Sequence, residues 1–172
     1  YLPSNSALPC TWNWELAKEA GNVLGEEARG RGKDVILAPG INVIRSPLCG
    51  RNFEYMSEDP CLIAEMAVPL IQGIQQQDTA ACVKHFAVNN QETRRLDVDV
   101  QVGERALREI YLPGFEASVK KGKTWTLMGA YNQFRGEHCC HNSYLLKEIL
   151  RKEWGFDGAV ISDWGGVHDT RQ

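Results

Sequence analysis

An α/β fold built on a parallel sheet is what this sequence of 172 residues predicts. Short, continuously apolar runs alternate with longer runs whose apolar residues recur at three- and four-residue spacing, as in buried strands covered by helices. The strand–helix unit repeats at intervals of roughly 40 residues, the order of a βα repeat. No Gly-x-Gly-x-x-Gly turn follows any of the strands, which favours a barrel over a doubly wound open sheet. A complete (β/α)8 barrel takes about 250 residues. Four strands and four helices therefore read as a partial (β/α)8 TIM-type barrel, and residues 1–172 as one incomplete domain of a larger protein.

The elements follow in order. Residues 12–30 read as a helix, because Leu16, Ala17, Ala20, Val23, Leu24 and Ala28 keep helical spacing and Gly30 and Gly32 stop it. Residues 34–40 form a strand ended by Pro39-Gly40. Residues 62–77 are a second helix entered through Glu58-Asp59-Pro60, an acidic and proline-marked start. Residues 81–86 are a second strand, 102–120 a third helix, and 124–131 a third strand. Residues 142–152 are a fourth helix capped by Asn142 or Ser143, and 160–162 the fourth strand. The two longest stretches without periodicity, 41–58 and 87–101, both follow strands, where a barrel carries its functional loops.

Composition narrows the class. The apolar share of 43% and charged share of 24% are those of an ordinary globular chain. A net charge of −3 with scattered basic residues gives no general attraction to nucleic acid. No apolar run approaches the roughly 20 residues that span a bilayer. The start, Tyr1-Leu2-Pro3-Ser4, carries neither an initiator Met nor a secretory signal, and the chain reads as a piece of something longer whose compartment stays open. Six cysteines without a C-x-x-C pair do not make a disulfide scaffold. His138-Cys139-Cys140-His141 invites a metal reading, but four adjacent side chains cannot all converge on a tetrahedral ion. Loop residues with one thiol packed inward are expected there, with no metal and no cofactor.

Chemistry gathers at the strand ends. Gly158-Ala159-Val160-Ile161-Ser162-Asp163-Trp164 delivers a carboxylate to the rim of the sheet, where α/β barrels keep their reacting groups. An Asp in that place also suits a turn cap. The first strand is followed by Arg51, the second ends in Lys84-His85 with Arg95 in its loop, and the third ends in Tyr131. Singly, each has a plain structural reading: Arg51 paired with Glu54, His85 as a satisfied core histidine, Tyr131 as packing. Lys84 inside a strand is harder to explain that way, since buried Lys is rare unless paired. Together at successive strand ends they describe a pocket of forked and ammonium donors, an aromatic wall and one carboxylate. Such a pocket suits vicinal sugar hydroxyls, with Trp164 offering a flat apolar face to a pyranose.

Several segments together resemble glycoside hydrolase family 3, in that family's order. They are Gly50-Arg51-Asn52-Phe53-Glu54-Tyr55-Met56-Ser57-Glu58-Asp59-Pro60, Lys84-His85-Phe86-Ala87, Asn90-Gln91-Glu92-Thr93, Tyr131-Asn132, Trp154-Gly155-Phe156-Asp157-Gly158 and Ser162-Asp163-Trp164. The β-glucosidase branch is the nearest, and the resemblance covers essentially the whole chain. It implies retaining hydrolysis of a β-glucoside or cello-oligosaccharide with Asp163 as nucleophile. Arg51, Lys84, His85 and Arg95 would hold the hydroxyls of the terminal sugar, Tyr131 would sit beside the nucleophile and Trp164 would line the site. It also implies an acid/base carboxyl from a later domain, and an early Asp-Gly-Pro motif, neither within these residues. Glu54, Glu58 and Glu92 receive no such role. The 172 residues alone are accordingly expected to hydrolyse a β-glucoside poorly or not at all.

Four other readings compete. Ala87-Val88 after Phe86 argues against the β-N-acetylglucosaminidase branch, which has a Lys-His-Phe-Pro-Gly stretch. Trp164 stands where the β-xylosidase branch tends to have Cys, so xylosidase ranks second. A barrel fragment that binds sugar without catalysis is the alternative outside enzymes. A nicotinamide or flavin enzyme ranks last for want of a phosphate-binding glycine loop.

Overall fold

The computed structural model describes residues 2–168. After a single turn at Pro9–Thr11, helix α1 spans Trp14–Gly30. It starts two residues later than its apolar pattern suggests. Trp12 is left-handed (φ 51°), and the Asn13 side chain accepts the Leu16 N–H at 3.0 Å as the cap. Strand β1 is only Val35–Ile36, although the sequence reads as extended through Gly40. The carbonyls of Ala38 and Pro39 still accept N–H groups from Cys82 and Lys84, but Pro39 has no N–H to return. Helix α2, Pro60–Gln76, begins two residues earlier than its apolar pattern suggests, inside the acidic entry: Asp59 accepts from Cys61 and Leu62, and Pro60 fills the first helical position.

Strand β2, Ala80–Phe86, is buried along nearly its whole length. The third predicted helix is divided. A short α3 at Glu104–Ala106 opens into a wide turn at Leu107–Tyr111 before α4 at Pro113–Lys120. Pro113 lacks an N–H and crowds the preceding turn, so the ladder loosens and the Leu112 N–H reaches Leu107 O at 3.0 Å. Strand β4 is Thr126–Gly129. Helix α5, Tyr144–Glu153, is also widely wound, and Asn142 caps it by accepting the Leu145 N–H at 2.9 Å. Strand β7 is Ala159–Ser162.

The strands β1, β2, β4 and β7 form one parallel sheet in that order. This is the partial barrel expected from the alternating pattern, and it sets the ends of the four strands side by side. A second sheet was not legible in the sequence. It pairs β3 (Asp99–Val100) with β5 (Gln133–Phe134), and β5 with β6 (Glu137–His138). Two-residue strands carry no periodicity. Their one local signal is the Arg135-Gly136 turn, with φ of 53° and 87°, the positive pair that a tight hairpin needs. The hairpin tucks Cys139 inward, where its thiol donates to Ala87 O at 3.4 Å.

The core holds edge-to-face contacts of Phe86 with Phe115 (5.2 Å) and with Trp154 (5.8 Å) between ring centres. Helices α1 and α2 meet through glycine. A Cβ on Gly73 would lie 2.2 Å from Lys18 O, and one on Gly21 would lie 2.3 Å from Leu70 O. Both obstacles are backbone and cannot rotate away. Gly73→Ala is therefore expected to push the helices apart and cost about 1–3 kcal/mol, the usual range for overpacking. A denaturant midpoint equal to that of the wild type would contradict this.

Candidate active site

The pocket is assembled from the segments that follow the strands. At the end of β2 the pairing with β4 shifts register between Val83 and Phe86. Such an irregularity breaks the alternation of side chains and re-aims them. Lys84 and His85, adjacent in sequence, consequently both serve the pocket. Asn42, in the loop after β1, clamps the His85 backbone from both sides: it donates to His85 O at 2.9 Å and accepts the His85 N–H at 2.7 Å.

The same loop makes one turn at Asn52–Glu54 and presents Arg51 and Glu54 to the pocket. Glu54 lies between two cations. It accepts from Arg51 Nε, and its other oxygen is 3.0 Å from Lys84 Nζ. Burial alone would push the Glu54 carboxyl up, but the hydrogen bonds from Arg51 and Lys84 outweigh it and hold it below the usual carboxylate range. Arg51 is thus paired with Glu54, as its plain structural reading required. It also reaches further, with Nη2 placed 2.9 Å from His85 Nε2. Arg95 is paired with Glu92 at 2.9 Å and stacks over the Tyr131 ring, 5.1 Å from its centre.

Asp163 follows β7, its N–H bound to Gly129 O at 3.3 Å. Its side chain is 14% exposed, and Oδ2 lies 3.8 Å from His85 Nε2. Oδ1 accepts the Trp164 N–H at 3.0 Å, while the Trp164 residue itself is 64% exposed at the mouth. Burial first, and the Asp163 charge second, push the Tyr131 phenol up, so Tyr131 stays uncharged beside Asp163.

The structure therefore brings Arg51, Lys84, His85, Arg95, Tyr131 and Asp163 together, with Trp164 at the rim. It adds Asn42, Glu54, Tyr55, Asn89 and Glu92 as the groups that hold them. Glu54 had a signal in the sequence, three residues after Arg51. Asn42 had none, because its partner lies 43 residues away.

His85 is unusual electrically. Burial, then the charges of Arg51, Lys84 and Arg95, depress its pKa from 6.5 to about 2. An unfolded His85 takes up a proton below 6.5 and the folded one only near 2. Between those values the unfolded state binds more protons, so stability falls as pH falls, by about 1.4 kcal/mol per pH unit for this group. The Glu54 carboxyl, held low when folded, adds to the loss at the acid end. Unfolding midpoints measured from about pH 6 down to about pH 4.5 are expected to decline less steeply in His85→Gln than in the wild type. Equal slopes would contradict the neutral state assigned to His85.

Known proteins resemble this chain in sequence and fold. The chain is 56% identical over 169 residues to a β-glucosidase of Bacteroides ovatus, covering 98% of this chain and 23% of that protein. It is 49% identical over 168 residues to an exo-α-(1→6)-L-arabinopyranosidase of Bifidobacterium longum, covering 98% of this chain and 22% of that one. Among solved structures, β-glucosidase 3B of Thermotoga neapolitana in complex with glucose superposes with a TM-score of 0.93 at 57% identity, over 94% of this chain and 23% of its own. The chain thus spans less than a quarter of the length of these relatives. The family model of the glycosyl hydrolase family 3 N-terminal domain matches residues 1–172, and the chain belongs to that family.

Proposed function

We propose that these residues are the nucleophile-bearing part of a retaining β-glucosidase. The observation that carries this reading is the placement of Asp163. It is a carboxylate at the carboxyl end of β7, partly exposed and faced by a neutral His85 at 3.8 Å. Arg51, Lys84 and Arg95 stand around it as donors for sugar hydroxyls. Asp163 would attack the anomeric carbon from below the ring as the aglycone leaves from above, giving a covalent α-linked glycosyl intermediate. Water would then release glucose with its original configuration.

The leaving oxygen needs a proton from a carboxyl about 5–5.5 Å from the nucleophile. We assign that group to a part of the protein outside these 172 residues, in keeping with relatives more than four times as long. Glu54 and Glu92 are each committed to cations and are not placed for the task. Residues 1–172 would then be one incomplete barrel domain.

The test is mechanism-based labelling of the whole protein with a 2-deoxy-2-fluoro-β-glucoside bearing a good leaving group. The expected result is a stable adduct on the peptide that contains Asp163. Labelling of another residue, or full turnover with no adduct, would sink the assignment. A second reading is favoured by the arabinopyranosidase relative at 49% identity. It places an α-L-arabinopyranosyl unit in the same pocket with the same nucleophile. Comparing kcat/KM on an aryl β-D-glucoside and an aryl α-L-arabinopyranoside separates the two. A β-D-xyloside in the same series tests the xylosidase alternative. Binding of these sugars with no hydrolysis would point to the non-catalytic reading.

A further inference from the structure

The ring of His85 is held from two sides, and the partners on those sides determine where its proton lies. Arg51 Nη2 is 2.9 Å from His85 Nε2. A guanidinium carries only donors, so Nε2 must accept. A neutral imidazole has one donor and one acceptor, which leaves the proton on Nδ1. Nδ1 is 3.1 Å from the Tyr55 hydroxyl oxygen, and Tyr55 is fully buried. Asn89 Nδ2 donates to the same oxygen at 3.1 Å. Burial pushes the Tyr55 phenol well up, so it remains an uncharged acceptor for both.

We propose that Tyr55 is a positioning residue that, opposite the Arg51 donor, accepts the Nδ1 proton and so holds His85 in the Nδ1–H tautomer, with the lone pair of Nε2 facing Arg51 and the mouth beside Asp163. The consequence is at the nucleophile. In the opposite tautomer, an Nε2–H would confront the Arg51 donor at 2.9 Å and point towards Asp163 Oδ2 at 3.8 Å. It would dislodge Arg51 and occupy the oxygen meant for the anomeric carbon. The effect on turnover rests on the function proposed above; the tautomer itself does not.

The experiment uses the whole protein labelled with 15N-histidine, with the His85 signals identified by their loss in His85→Gln. In the wild type, Nδ1 is expected to show the shift of a protonated ring nitrogen and Nε2 that of an unprotonated one. In Tyr55→Phe, which keeps the ring and removes the acceptor, that pattern is expected to be lost. kcat/KM on an aryl β-glucoside should fall roughly 10–100-fold, the usual loss when the partner that orients a site residue is removed. A wild-type His85 protonated on Nε2 overturns the proposal. So does a Tyr55→Phe protein with an unchanged tautomer, whatever its activity, because its role would then be packing alone. Should Tyr55→Phe fail to fold, the wild-type spectrum still tests the proposal, because protonation on Nε2 would overturn it. A wild type with the expected tautomer but no glycosidase activity would refute the proposed function and leave the tautomer assignment standing.

Discussion

Replacing Asp163 by Gly is expected to lower kcat on an aryl β-glucoside by roughly 10⁴–10⁶-fold, the scale seen when a nucleophile or its essential partner is removed. Asp163 sits at the edge of the pocket, and its loss removes no core packing, so the protein should remain folded. The gap left by the carboxylate admits a small anion. Azide is expected to restore part of the activity by attacking the lower face of the sugar, and the product should be α-glucosyl azide. That configuration is the informative readout, because it reports the face on which Asp163 stood. Recovery of β-glucosyl azide, or a loss smaller than about tenfold, would remove Asp163 from the nucleophile's role.

Lys84→Met carries the next largest expected effect. The substitution keeps the length of the stem and deletes the ammonium. On the proposed function it removes one donor from the sugar hydroxyls, and it removes one of the two cations on Glu54, whose side chain is only 19% exposed. Loss of a donor aligned on the reacting sugar commonly costs 10²–10³-fold, and kcat/KM is expected to fall by about that much. Lys84→Arg should not restore it, since a guanidinium fork is wider than the ammonium that meets Glu54 at 3.0 Å. Glu54→Gln tests the same link from the other side. It leaves Arg51 and Lys84 in place but uncompensated, and a rise in KM with little change in kcat is the expected split. A Lys84→Met enzyme within a factor of about three of the wild type would show that the ammonium only balances Glu54.

Local pattern accounts for what was legible. Helix α2 starts at Pro60 because Asp59 and Pro60 suit a helix entry, and both are visible without any tertiary contact. Helix α1 was legible in its periodicity, but its first residue depended on the left-handed Trp12. The division of the third helix could be read from Pro113, yet its apolar spacing ran unbroken across it. The small sheet of β3, β5 and β6 was missed for a different reason. Each strand is two residues long and is stable only because the others are present.

The sequence by itself determined the alternation of strands and helices and the residues that stand at the strand ends: Lys84, His85, Tyr131 and Asp163. Hydrophobic period and chain breaks are local, so they survive reading in one dimension. Tertiary structure alone decided how those residues are held and charged. Asn42 clamps His85 across 43 residues, Tyr55 meets its ring across 30, and Glu54 joins Arg51 to Lys84. The low pKa of His85 comes from the same source, because burial and three nearby cations exist only once distant loops have closed over one strand end.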